Sequence, residues 1–228
     1  MYVLHIGNKN YSSWSLRPWV LMRTLGIPFE EVLTPFPAGP SFSLFRSFSP
    51  NGRVPCLVDE GWAVWDSLAI VEYLAERHQG VWPADAKARA WARSAAAEMH
   101  SSFTALRNDC PMSCGMRVEP APMSDALKHD LFRMGDLWND GLARFGGQFL
   151  AGDHFTAVDA FFAPIAFRAQ SYGLKFEGVA GKYPQRLLDL PAMREWYAAG
   201  LAETWREPGH EAEVQAAGTI VDDLRAKA

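Results

Sequence analysis

The 228-residue chain has few cysteines, no long apolar run and no excess of positive charge. Its three cysteines form an odd and sparse set, which argues against the disulfide framework of a small secreted protein. No stretch approaches the roughly 18 apolar residues that a membrane span requires. A net charge of −4 is a poor electrostatic match for nucleic acid or an anionic membrane. These absences predict a cytoplasmic protein that binds neither nucleic acid nor membrane.

The histidines and cysteines also lack the spacing of a metal site. The six histidines are scattered along the chain, and Cys110 and Cys114 have no second pair to complete a zinc site. Glycine-rich phosphate loops and the G-x-S-x-G turn of a serine hydrolase are absent as well. The sequence therefore predicts no bound metal.

Aromatic residues, in contrast, are abundant. They make up 13% of the chain and include nine tryptophans and fourteen phenylalanines. Hydrophobic residues at 49% and charged residues at 21% are ordinary for a folded protein, and the length allows one large domain or two modest ones. This aromatic density fits either a rich core or an apolar pocket, and composition alone does not separate the two.

Residues 1–80 alternate between strand and helix patterns. Short apolar runs predict strands at residues 2–6, 29–33, 55–58 and 62–65. Helices are predicted from a cap at Ser15 to a stop at Gly26, and from Ser67 to His78. This order indicates an α/β domain.

After residue 85 the pattern is helical throughout. Apolar residues recur at helical spacing over 88–106 and again over 127–145, on either side of a proline- and methionine-rich break at 110–123. Thr156 and Asp159 match a capping box ahead of a very apolar helix. Shorter helices and a polar tail follow. We expect an α/β domain at 1–80 and an all-α domain at 85–228.

The loop before the first helix carries a run of serines. Ser12 and Ser13 lie where free backbone N–H groups and the helix dipole favour an anion, such as a thiolate. Plain helix capping is the alternative for either serine taken alone.

Two further loops of the first domain carry polar residues. Arg53-Val54-Pro55 opens a strand, and a cis proline there would expose the backbone of Val54 to an extended peptide ligand. Asp66-Ser67 opens a helix whose N-terminus can bind a carboxylate, while Asp66 pairs with an ammonium group. Ordinary trans proline and simple capping are the alternatives. A ligand with carboxylate, ammonium and thiol groups would satisfy all three loops.

These residues resemble the cytosolic glutathione S-transferase superfamily, in its serine-type, zeta- and tau-like branch. The resemblance covers essentially the whole chain. It rests on the order and spacing of Ser12-Ser13-Trp14-Ser15-Leu16-Arg17, Val54-Pro55, Asp66-Ser67 and Thr156-x-x-Asp159. It implies a thioredoxin-like domain followed by a helical bundle, a homodimer, and glutathione as co-substrate without a metal.

The resemblance also implies roles for single residues. The family's catalytic serine lies five positions before a helix arginine, which selects Ser12, with Ser13 as the alternative if the loop shifts by one. Trp14 stands where the zeta group has a cysteine, which argues against zeta-type isomerisation.

Glutathione would be held by the other two loops. The resemblance implies that Val54, beside cis Pro55, pairs with the cysteinyl part. Asp66 and Ser67 would hold the γ-glutamyl end, and Arg53 the glycine carboxylate.

The second substrate would be a small hydrophobic electrophile bound between the domains. Met99, Phe103 and Arg107 lie along one edge of the first long helix and are the expected contacts. Core packing is the alternative for Met99 and Phe103. The apolar loop 112–123 would add surface to this site.

Three functions stay open on this scaffold. The first is conjugation of glutathione to electrophiles, as in detoxification. The second is glutathione-dependent isomerisation, peroxide reduction or dehalogenation. The third is non-catalytic binding of protein partners, as in stringent-starvation-type regulators. Such regulators tend to lose the serine and the acidic-serine pair, so Ser12 and Asp66-Ser67 favour an enzyme.

Overall fold

The N-terminal part of the chain folds around a four-stranded sheet in the computed structural model, which describes residues 1–227. The strands are β1 (Tyr2–Ile6), β2 (Phe29–Leu33), β3 (Cys56–Asp59) and β4 (Trp62–Val64). Their spatial order is β2-β1-β3-β4. β1 pairs parallel with β2 and antiparallel with β3, and β4 closes the sheet as an antiparallel edge strand.

Three helices accompany this sheet: α1 (Ser13–Leu25), α2 (Phe42–Phe45) and α3 (Ser67–Ala75). α1 ends as predicted at Gly26, which adopts the left-handed conformation at φ 67°. The prediction that Ser15 caps α1 is wrong. The cap position is Ser12, and Ser15 lies inside the helix, where its Oγ accepts a hydrogen bond from the N–H of Gly7.

The C-terminal part is mainly helical, which confirms the predicted architecture of a thioredoxin-like part followed by a helical part. Its helices are α4 (Ala86–Ser101), α5 (Thr104–Asp109), α6 (Asp125–Phe145), α7 (Ala157–Tyr172), a 3-10 turn (Gly178–Lys182), α8 (Tyr183–Leu188), α9 (Pro191–Ala202) and α10 (Pro208–Ala216).

The expectation of helix throughout this part is wrong at two segments. β5 (Met116–Pro120) and β6 (Gly218–Asp223) pair as an antiparallel two-stranded sheet. Each segment is short, and its sequence pattern alone predicts a loop or a polar tail. Strand formation here depends on pairing between segments about a hundred residues apart, which local patterning does not reveal.

The first long helix is also shorter than its apolar spacing predicts. The chain breaks after α4, where Phe103 takes a left-handed conformation at φ 58°, and resumes as α5. The Leu106 amide in α5 donates 3.0 Å to the Asp130 carboxylate of α6. The apolar spacing continues across the break because Phe103 and Leu106 are both buried in the core.

α7 is the centre of the packing. Nearly all of its residues are buried, and it contacts α1, α4, α8 and β5. The predicted capping box at its start is present: the Asp159 carboxylate accepts hydrogen bonds from the Thr156 amide at 2.9 Å and the Leu150 amide at 3.0 Å. It also accepts from the Tyr183 hydroxyl at 2.6 Å. Burial raises the pKa of Asp159 to about 6.

Replacing Asp159 tests how much this junction contributes to stability. We expect Asp159→Ala to lower the free energy of unfolding by about 3 kcal/mol, because it leaves buried donors without an acceptor. Urea denaturation measures the change, with the exposed Asp153→Ala as matched control. A loss below about 1 kcal/mol would show that the buried donors find other partners.

Candidate functional site

A cavity of about 310 Å³ opens between the N-terminal end of α1 and the helical part. The structure brings five of the predicted site residues to its wall: Ser12, Ser13, Arg53, Val54 and Arg107. The two serines, the Arg53-Val54 loop and Arg107 of helix α5 therefore line the same cavity. The arrangement can hold a ligand between the two parts of the chain.

The serine turn is organised by a hydrogen-bonded pair of hydroxyls. Ser12 is 5% exposed, and its Oγ lies 2.7 Å from the Oγ of Ser15. Ser15 Oγ in turn accepts from the Gly7 amide at 3.2 Å. Ser13, the first residue of α1, is half-buried. The first-turn amides of α1 have no helical carbonyl to bind, so this end of the cavity favours negative charge.

Arg17 lies one turn into α1 and is almost completely buried, at 2% exposure. Its guanidinium carbon is 4.1 Å from the ring centroid of Trp14 and 4.8 Å from that of Phe161 in α7. Its Nη1 reaches the Ser67 hydroxyl at 3.5 Å. Burial lowers the pKa of Arg17 to about 9, so the side chain stays charged at neutral pH. One cation therefore joins α1, α3 and α7.

Asp66 and Ser67 lie outside the walls of the cavity, at the start of α3. Asp66 accepts from the Leu68 amide at 3.0 Å, and its second oxygen is 3.4 Å from Nε2 of His100. His100 packs edge-on against Trp14, whose ring lines the cavity. The α3 N-terminus is thus connected to the cavity by these two rings.

The surroundings of His100 favour its neutral form. Burial lowers its pKa, and this effect outweighs the opposing charge of Asp66. The negative charge of Asp66 is therefore not cancelled by His100 and stays available to a ligand cation.

The second predicted loop lies on the wall opposite α5. The Val54–Pro55 peptide bond is cis, one of the two geometries that the sequence allowed. Val54 and the exposed Arg53 line the cavity, whereas Pro55 is buried behind them.

Met99 and Phe103 do not face the cavity. Both are buried in the core cluster, which is the alternative that the sequence left open for them. Of the three expected electrophile contacts only Arg107 lines the cavity, because α5 turns away from α4 at Phe103. From the expected apolar loop at 112–123, Met112 contributes to the wall, and Met116–Pro120 form β5.

Sequence reasoning missed several residues of the wall. Arg168 is one, and its signal was visible: apart from the capping Asp159, it is the one charged residue of the mainly apolar α7. His210 and Glu213 are others, brought in by α10 from far along the chain without any local signal. Phe36 and Phe45, from the segment between β2 and β3, also line the cavity.

The C-terminal segment holds the serine turn in place. The Tyr11 hydroxyl donates to Glu211 at 2.6 Å, and Arg225 binds both Glu211 at 2.6 Å and the Tyr11 hydroxyl at 3.2 Å. Asp223 binds the same guanidinium at 2.8 Å. Glu203, which directly follows α9, accepts a hydrogen bond from the Lys9 amide at 2.6 Å. Residues just before Ser12 are therefore fixed by groups near the end of the chain.

The three cysteines are buried, and burial raises the pKa of each thiol, that of Cys110 to about 11. Within residues 1–227 the structure contains no cluster of three or more histidine, cysteine and carboxylate side chains able to hold a metal ion. Over the same residues no helix has the length and apolarity to cross a membrane.

Two family models match the chain. The model of the glutathione S-transferase N-terminal domain matches residues 11–77, and that of the C-terminal domain matches residues 124–199. Together they cover the serine turn, the Val54-Pro55 and Asp66-Ser67 loops, helices α6 to α8 and most of α9.

Individual relatives are distant and carry different names. The chain is 24% identical to a probable maleylacetoacetate isomerase from Caenorhabditis elegans, over 83% of this chain and 90% of that protein. It is 23% identical to a stringent starvation protein A homologue from Haemophilus ducreyi, over 72% and 73%. A crystal structure of a glutathione transferase homologue from Burkholderia, with bound glutathione, superposes with a TM-score of 0.63 at 22% identity, over 87% of this chain and 97% of that one.

The contacts of Arg225 give a testable expectation for the serine turn. We expect Arg225→Gln to speed amide hydrogen exchange at residues 8–13 by about tenfold, because Tyr11 and Glu211 lose their common partner. The control is Arg194→Gln, which removes an exposed ion pair with Asp189 on α9. Unchanged protection at 8–13 together with faster exchange in β6 alone would contradict the contact's role.

Proposed function

The chain belongs to the glutathione S-transferase family, and from this premise we propose that it is a serine-type glutathione transferase that activates the glutathione thiol for attack on a small electrophile. The observation that carries the proposal is the hydrogen-bonded Ser12–Ser15 pair at the N-terminus of α1, beside a cavity. Attack would form a carbon–sulfur bond at the electrophile and expel its leaving group.

The serine pair supports a directed chain of hydrogen bonds. A serine proton rotates about its C–O bond, so either hydroxyl of the pair can donate. In the structure Ser15 Oγ accepts from both the Gly7 amide and the Ser12 hydroxyl. In the proposed complex the Ser12 proton turns to the ligand, and the Ser15 proton turns to Ser12 Oγ. Ser12 is then free to donate to a sulfur anion in the cavity. Hydrogen bonds aligned in this way polarise one another, which strengthens the last donor.

The energies involved are sufficient for activation. A free thiol has a pKa of about 8.5. Lowering it by two units needs about 2.7 kcal/mol of preferential binding of the thiolate. A hydrogen bond to a charged group contributes about 1.5–3 kcal/mol. A helix N-terminus adds about 0.3–1 kcal/mol. Serine itself acts as a donor and not as the base, because its own proton is held too tightly.

The two other loops would bind the ends of glutathione. Val54 lines the cavity and is the proposed backbone partner of the cysteinyl residue, next to cis Pro55. Asp66 would bind the γ-glutamyl ammonium, since its charge is not cancelled by neutral His100. The α3 N-terminus at Ser67 would bind the γ-glutamyl carboxylate. Arg53 is the proposed partner of the glycine carboxylate.

A cysteine-based reaction is disfavoured on this scaffold. None of the three cysteines lines the cavity, and burial raises the pKa of each. A thiol that is protonated at neutral pH is a weak nucleophile. This supports a serine donor over a thiol-transferase mechanism.

A non-catalytic role is the second candidate, because stringent starvation protein A homologues are among the relatives. Retention on glutathione resin separates the two, since an enzyme of the proposed kind must bind glutathione. A protein that is not retained would be a partner-binding member of the family. The isomerase named among the relatives makes isomerisation a variant of the enzymatic proposal.

We also propose that the chain forms a homodimer. β4 is an edge strand, and Trp62 on it is 72% exposed, which is unusual for a tryptophan of an isolated subunit. Trp65, the residue directly after β4, is exposed as well. A second copy would cover this aromatic surface.

The serine assignment is tested by two substitutions at adjacent positions. We expect Ser12→Ala to lower kcat/KM for conjugation of a chlorodinitrobenzene by roughly 10- to 100-fold, because one hydrogen bond to the thiolate is lost. Retention on glutathione resin should persist. Ser13→Ala is the matched control, with a loss below about threefold. The reverse order of the two losses would move the donor to Ser13, and no loss in either would refute a serine donor.

The role of Asp66 is tested without removing the helix cap. Asn caps a helix as well as Asp, so Asp66→Asn removes the charge and keeps the α3 start. We expect the KM for glutathione to rise about tenfold with a smaller change in kcat. Asp85→Asn, at the cap of α4, is the control. An unchanged KM would show that Asp66 does not bind the ammonium group.

A further inference from the structure

Two arginines on the helical wall of the cavity have no carboxylate partner. Arg107 and Arg168 both line the cavity, and within residues 1–227 neither forms an ion pair. Buried charges in proteins are normally paired, because desolvation of an unpaired ion is costly. The presence of two arginines beside a cavity without a carboxylate partner therefore needs an explanation.

Arg168 is held in a fixed position. It is only 4% exposed, and its Nε donates 2.8 Å to the carbonyl oxygen of Cys110. This contact anchors the planar head of the side chain by one edge, and the remaining N–H groups have no protein acceptor within hydrogen-bond distance in the described part of the chain. A guanidinium held in this way is ready to bind an oxyanion.

Arg107 approaches the same space from α5. Its Nη1 donates to the His100 carbonyl oxygen at 3.3 Å, and its guanidinium lies 5.5 Å from the ring centroid of Trp14. Its positive charge opposes that of Arg168 and contributes, after burial, to lowering the pKa of Arg168 to about 10. Both side chains remain charged at neutral pH. An anion placed between them would relieve this repulsion.

The charged residues that line the cavity also favour an anionic ligand. Arg53, Arg107 and Arg168 face one carboxylate, Glu213, while His210 is bound to Glu207 outside the wall. Arg17 adds a further buried charge behind Trp14. Apolar groups line the same cavity as the two unpaired arginines: Pro111, Met112 and Trp14.

We infer that the second substrate is an electrophile with an apolar body and a carboxylate, and that Arg107 and Arg168 bind this carboxylate. The inference rests on the proposed transferase function and specifies its substrate class. Binding the anion on the helical wall leaves the reactive carbon facing the serine turn on the other wall. In the reaction the glutathione sulfur forms a bond to that carbon while the carbon–chlorine bond of a chloroaromatic substrate breaks and chloride leaves with the electron pair.

The test compares chlorodinitrobenzoate with its methyl ester, which has the same body without the charge. Each kcat/KM is divided by the rate constant of the uncatalysed reaction with glutathione at the same pH, because the two groups activate the ring differently. We expect the wild-type protein to favour the carboxylate by at least about tenfold, the effect of one hydrogen bond to a charged group. A preference of less than twofold, or for the ester, would overturn the inference.

Substitutions then locate the preference. We expect Arg168→Gln and Arg107→Gln each to lower the carboxylate-to-ester ratio about tenfold, and Arg168→Lys to keep more of it than Arg168→Gln. Arg107 is half-buried, so its variant keeps the test available if Arg168→Gln fails to fold. Arg194→Gln, an exposed arginine on α9, is the control and should leave the ratio unchanged. A higher KM for glutathione with an unchanged ratio would mean that these arginines bind glutathione itself.

A binding measurement separates failure of this inference from failure of the proposed function. Dinitrobenzoate, which has no leaving group, should bind the wild-type protein more tightly than its methyl ester and lose this advantage in Arg107→Gln. Conjugation of the ester without any carboxylate preference would overturn the substrate class alone. Absence of all conjugation would overturn the transferase function, and equal binding of dinitrobenzoate and its ester would then overturn the anion site as well.

Discussion

The buried cation Arg17 contacts both parts of this protein where they meet at the site. Its guanidinium lies between the rings of Trp14 and Phe161 and reaches Ser67, so α1, α7 and α3 converge on it. A charge removed from water without a carboxylate partner is costly, and aromatic faces recover about 2 kcal/mol or more of that cost. The same arrangement places positive charge behind the turn that carries Ser12.

This electrostatic setting unites the features of the cavity. The α1 N-terminus, the Ser12–Ser15 pair and the arginines at 107 and 168 all favour negative charge on the ligand side. Glutathione as a thiolate and an electrophile with a carboxylate are both anions, so one positively polarised cleft would serve both. The C-terminal segment completes the cleft by fixing Tyr11 through Arg225.

Sequence patterns predicted the parts of the fold that depend on local chemistry. β1 and β2, the left-handed stop at Gly26 and the capping box of Asp159 were all foreseeable, because each depends on neighbouring residues. The pairing of β5 with β6 was not, since it joins distant segments. The candidate site was partly foreseeable. The serine turn at the cavity wall follows from its motif, whereas the presence of Arg168 on that wall requires knowing which face of α7 meets the cavity.

The most direct test of this account is the pKa of the glutathione thiol in the complex. Ultraviolet absorbance of the thiolate, followed across pH with saturating protein, reports that pKa without needing an electrophile. The hydrogen bond from serine and the end of α1 predict a value of about 6.5, two units below the free thiol. A bound thiol that titrates within about half a unit of the free value would contradict the account, because binding would then occur without activation.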